Sequence, residues 1–144
     1  MAEMKPARKA TDWIGKRDGC KAAAVSVLGI PFAGRKPGEK MLISSPADVH
    51  AQLRKIRKGR GLTPAEFRER LAADASADFT CPLTAGIFLR IAAEAAWQEF
   101  QNGAALAKIA PFWRVIDSSQ PLAKKLACGA AFIGKQRRAE GLAE

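Results

Sequence analysis

The chain has 144 residues, a hydrophobic fraction of 48% and a formal net charge of +10. That length fits one domain plus some extra chain, enough to bury a core without cross-links. The charge favours a polyanionic partner such as DNA, RNA or an acidic membrane surface, and the absence of any long apolar run argues against a membrane span.

The charge is uneven: residues 1–60 carry a net +9 and residues 61–144 a net +1. Three widely spaced cysteines (Cys20, Cys81 and Cys128) and a single histidine, His50, give neither a CxxC pair nor a zinc spacing. No metal or other cofactor is expected, and a reducing, cytoplasmic setting fits best. Residues 22–30 (AAAVSVLGI) are short for a signal-peptide core and follow acidic Asp12 and Asp18, which argues against a cleaved signal.

Residues 1–38 read as a basic, partly mobile arm carrying Lys5, Arg8, Lys9, Lys16, Arg17 and Lys21. A short helix is expected near residues 20–28, and apolar Trp13 implies that part of the arm docks. Met41 to Ser44 reads as a short strand. Ser45 then caps a helix with Pro46 at its first position and Val49, Leu53 and Ile56 on one face. The run Arg54-Lys55-Ile56-Arg57-Lys58-Gly59-Arg60 closes it. Phosphate contacts from such a run give affinity without sequence choice; the plainer reading is a solvated helix face. Thr63, Pro64 and Glu66 form a capping box for a second helix, with Phe67 and Leu71 inward.

The longest helix is expected over residues 82–101, opened by Cys81-Pro82 and ended by Asn102-Gly103. Ile87, Ile91 and Ala95 form its predicted core stripe, thickened by Phe88, Ala92, Ala96 and Phe100. Pro111 to Ile116 reads as a short buried turn or strand, and a last helix is expected from about residue 131 to 142. His50 is expected on an exposed helix face.

The stretch Pro111-Phe112-Trp113-Arg114-Val115 resembles the PCHRV active-site motif of alkylguanine-DNA alkyltransferases, with Phe and Trp replacing Cys and His. Gly61-Leu62-Thr63, Thr84-Ala85-Gly86 and Glu140-Gly141 follow the order of other family motifs, so the resemblance covers roughly residues 39–144. It implies a mainly α, helix-turn-helix (winged-helix-like) DNA-binding domain over residues 39–144, with short β segments and the basic arm before it. Family members flip an alkylated guanine from the duplex and move its alkyl group to the cysteine.

Here the acceptor position holds Phe112, which cannot take an alkyl group, and the histidine position holds Trp113, which donates a hydrogen bond but cannot act as a base. The family glutamate remains as Glu140, expected to serve as a structural acceptor for Arg114. The positions of the nucleotide-rotating tyrosine and the stack-filling arginine hold Pro64 and Leu83; Leu83 is expected in the core rather than as an apolar wedge.

The resemblance therefore implies a non-catalytic, alkyltransferase-like DNA repair protein. It would be monomeric and nucleoid-associated, hold duplex DNA through Arg54, Lys55, Arg57, Lys58, Arg60 and Thr63, and recruit a repair protein. Phe112, Trp113, Arg114 and Glu140 would shape a lesion pocket or simply fill the old active site. Two alternatives stand beside it: an enzyme using a displaced Cys81 or Cys128, and a protein-interaction module that has lost DNA.

Overall fold

The computed structural model describes residues 10–143. Lys5, Arg8 and Lys9 of the expected arm lie outside the described residues. The described chain is mainly helical with a small three-stranded sheet.

A first helix, α1 (Trp13–Asp18), is capped by Asp12, whose carboxylate accepts from the Gly15 amide. It packs along α4 (Pro82–Gln101), where Gln98 Oε1 accepts from the Trp13 and Ile14 amides. Trp13 docks as its apolar ring implied. Arg17, expected as an arm cation, turns inward and pairs with Glu99 and Asp18. The helix expected at 20–28 is instead strand β1 (Ala24–Val27). Gly19 ends α1, and the β-branched residues Val25 and Val27 suit an extended chain better than another helical turn. β1 pairs antiparallel with β2 (Lys40–Ile43), across the boundary expected after residue 38.

Between β1 and β2 the chain makes a narrow spur. Phe32 and Arg35 exchange two backbone hydrogen bonds across Ala33-Gly34, whose φ values are 52° and 77°. Positive φ at both central residues is the pattern of a type I′ hairpin turn, and costs Ala33 about 1–2 kcal/mol. Glu39 braces the base, accepting from the Lys36 amide at 2.6 Å and the Arg35 guanidinium at 3.3 Å. Arg35 also lies over the Phe79 ring, 5.0 Å from its centroid.

Helices α2 (Pro46–Arg54) and α3 (Pro64–Asp74) start as expected. Ser45 Oγ accepts from the Asp48 amide, and Thr63 and Glu66 complete a reciprocal capping box. The two helices form the crossover to β3 (Phe79–Thr80), which joins β2 in parallel. On α4 the buried residues are Ala85, Leu89, Ala92, Ala93, Glu94, Ala95 and Ala96, so Ala92, Ala95 and Ala96 are buried as expected. Ile87 is 52% exposed and Leu83 69% exposed, so neither belongs to the core as expected. The helix is apolar on most sides, so periodicity alone leaves the buried face open; the small alanines mark where α1 and α2 approach closely.

Pro111 to Ile116 forms a buried 3₁₀ turn over Phe112–Arg114. Short α5 (Pro121–Lys125) leads into α6 (Gly129–Ala139), which begins and ends slightly before the expected range. The core joins Val49, Leu53, Phe67, Leu71, Leu89, Phe112, Ile116 and Ile133. An aromatic layer of Trp97, Phe100, Phe112, Trp113 and Phe132 closes it.

His50 is half-buried rather than exposed, and its Nε2 has no hydrogen-bond partner among the described residues. Burial lowers its pKa below the usual 6.5, with Arg17 and Arg54 adding to the effect and Glu99 and Asp18 partly offsetting it. The folded chain thus binds fewer protons than the unfolded one near that pH. The stability from neutral His50 is complete above its unfolded pKa and is lost as pH falls below it. Melting temperature is expected to decline from about pH 7.5 to about pH 5.5, and less so in His50→Gln.

Candidate functional site

The end of α2 supplies one wall of a cleft of about 610 Å³. Arg54, Ile56, Arg57 and Lys58 stand there because Gly59, at φ 82°, turns the chain sharply after the helix. The opposite wall comes from the connection after α4 (Leu106, Ile109 and Pro111) and from Trp113 and Arg114. Gln136, Ala139 and Glu140 at the end of α6 complete it. The basic run and the motif around Trp113, about 55 residues apart in sequence, therefore meet at one place.

Glu140 holds this place together. Its carboxylate accepts from Arg114 Nε at 2.8 Å and Nη2 at 3.1 Å, from Trp113 Nε1 at 2.6 Å and from the Gly59 amide at 2.9 Å. Arg114 Nη1 reaches across to the Ile56 carbonyl at 2.7 Å. Arg137 adds a second tie, donating to the Trp113 carbonyl at 2.7 Å and to the Ala143 carbonyl. The expected Arg114–Glu140 pairing is present. Burial pushes the Glu140 carboxyl up, but the hydrogen bonds from Arg114, Gly59 and Trp113, with the Arg114 charge, outweigh it and hold the pKa below the ordinary range.

Among the described residues, the cleft carries the side-chain charges of Arg54, Arg57, Lys58 and Arg114 against the one carboxylate of Glu140. Arg54 Nη1 donates to the Lys108 carbonyl at 2.6 Å, which fixes its stem and keeps its charge. Arg57 and Lys58 are exposed and have no carboxylate within ion-pair range among the described residues. Lys55 turns away to Asp74 at 3.2 Å, beside a separate groove. Arg60 is exposed but does not line the cleft. Thr63 is committed to its capping box and borders another hollow with Asp117 and Gln120.

Phe112 is fully buried between Phe132 and Trp113 and lines no cleft, so it is a core residue and not a pocket residue. Trp113 is 3% exposed, and its one polar atom is engaged by Glu140. Leu106 and Ile109, which line the cleft, carry no signal in the sequence beyond a three-residue spacing.

Cys81 occupies the N-cap position of α4, makes no capping hydrogen bond with its side chain, and is 4% exposed. Burial, with Glu94 nearby, pushes the Cys128 thiol up to about 12, so it stays protonated near neutrality. Neither lines the cleft. Intact-mass measurement after brief native iodoacetamide treatment is expected to show Cys81 and Cys128 unmodified, and both alkylated in denaturant. Rapid native alkylation of either would revive the displaced-nucleophile reading.

Among the described residues no group of three His, Cys, Asp or Glu could hold a metal ion, and no helix is long and apolar enough to cross a membrane. No protein-family model, curated protein or solved structure matches the chain.

Proposed function

We propose that this chain is a non-catalytic DNA-binding protein of the alkyltransferase-like kind, which holds duplex DNA by phosphate contacts from Arg54, Arg57 and Lys58. The observation that carries this reading is the meeting of those cations in one cleft where, among the described residues, Glu140, already bound to Arg114, is the only carboxylate. Such an arrangement attracts a polyanion, and the resemblance of the flanking motifs to a DNA repair family selects DNA.

Phe112 is sealed and Trp113 nearly so, which removes the ring faces on which an extruded base would stack. The proposed binding is therefore indifferent to the lesion. Anisotropy titrations on plain and O6-methylguanine duplexes are expected to give equal affinities that weaken as salt rises. Failure to bind either duplex at low salt would overturn the proposal.

A further inference from the structure

Seven large hydrophobic side chains are exposed among the described residues, and they are not scattered. Val25, Val27, Ile30, Phe32 and Ile43 lie on the β1–β2 hairpin, and Leu83 and Ile87 on the first two turns of α4. The hairpin tip and the start of α4 border one groove of about 380 Å³, between Ala33 and Arg35 on one side and Arg68 and Pro82 on the other. The spur at the tip is preset in shape. The two-residue turn fixes its end, Glu39 braces its base, and Arg35 over Phe79 fixes its angle to the body. Phe32, 39% exposed, stands outward at the bridge that closes the tip, and Ile30, 72% exposed, on the bend that leads to it.

We infer that this spur is a second DNA-contacting element, which enters a groove of the duplex with Ile30 and Phe32 against the bases and Lys36 and Lys40 on the flanking phosphates. The inference rests on the DNA reading above and extends it to Ile30, Phe32 and Lys36, which precede the stretch that the resemblance covers. Three features favour duplex DNA as the occupant. A two-stranded ribbon has the width of the major groove, and apolar side chains of this kind contact bases when carried into a groove. Lys36 and Lys40 are exposed and have no ion-pair partner among the described residues, so their side-chain charges are available, although the Glu39 and Asp78 carboxylates accept from their backbone amides. The position also fits: the connection after Lys58 leads straight into α3, whose Ala65 and Arg68 border the spur groove. Ala65 follows Lys58 by seven residues, so a short stretch of chain joins the cleft to the spur groove.

The test compares Ile30→Ser/Phe32→Ser and Lys36→Gln/Lys40→Gln with wild type, in the full chain, on an unmodified duplex over a range of salt. Circular dichroism melting checks that each exposed double variant is folded. The apolar variant is expected to bind about tenfold more weakly with an unchanged salt slope, because no phosphate contact is lost. The lysine variant is expected to reduce the salt slope by about 1.8, at roughly 0.9 per phosphate contact. If both variants bind like wild type while Arg57→Gln/Lys58→Gln weakens binding, the spur inference is wrong and the DNA reading stands. If wild type fails to bind DNA at low salt, that reading falls and takes the inference with it. Binding of wild type to phosphatidylserine vesicles, with no binding to DNA, and its loss in Ile30→Ser/Phe32→Ser would assign the spur to a membrane surface and overturn the inference.

Discussion

Glu140→Ala is expected to destabilise the fold by about 3–5 kcal/mol, the cost typical of removing one member of a buried ion pair. The Arg114 and Glu140 side chains are 13% and 6% exposed, so neither is effectively screened by solvent. Without the carboxylate, the Arg114 guanidinium, the Trp113 indole N–H and the Gly59 amide each lose an acceptor. Urea denaturation followed by far-ultraviolet circular dichroism measures the loss. The double replacement Arg114→Met/Glu140→Met is expected to cost less than Glu140→Ala, since it leaves no unpaired charge. The same network fixes the acid response. Because the folded state holds the Glu140 carboxyl below its ordinary value, its contribution is complete above the unfolded pKa of 4.5 and is lost as pH falls through the folded one. A Glu140→Ala protein no more sensitive to urea than wild type would show that the network is ornamental.

The second large effect concerns the cleft. Phosphate contacts from Arg54, Arg57 and Lys58 predict a slope of about −2.7 for log affinity against log salt, which is about a fortyfold loss between about 50 and 200 mM. Arg57→Glu/Lys58→Glu replaces two positive charges by two negative ones at exposed positions. It is expected to weaken duplex binding by more than about a hundredfold at low salt while leaving the melting temperature nearly unchanged. Arg54 is left in place because it also bonds the Lys108 carbonyl. Unaltered affinity in this variant would remove the cleft from the DNA contact.

Local rules make the helix starts legible. Ser45 with Pro46, and Thr63 with Pro64 and Glu66, act through bonds that span three residues, and the structure contains them as read. The Arg114–Glu140 pair is also accessible, through the resemblance and the preference of guanidinium for carboxylate. The buried face of α4 is not, because a helix rich in alanine and isoleucine presents several equivalent apolar stripes, and only the docking of α1 and α2 chooses among them. The direction of each cation in residues 54–60 is equally hidden. Lys55 and Arg57 stand close in sequence yet face different grooves, because Asp74 draws the lysine aside while the cleft takes the arginine. Strand β1 escapes a local reading because its pairing partner lies beyond a 12-residue connection whose turn, Ala33-Gly34, lacks the usual Asn-Gly signature.

The bonds that gather on Glu140 also govern how the cleft breathes. Its floor, one of its lips and the last turn of α6 are expected to open as one cooperative unit, because Gly59, Trp113 and Arg114 share a single acceptor. A guest too bulky for the resting shape cannot simply push one wall outward. It must wait for the helix end to fray, so slow entry and transient loss of amide protection at Gly59 become two views of the same event.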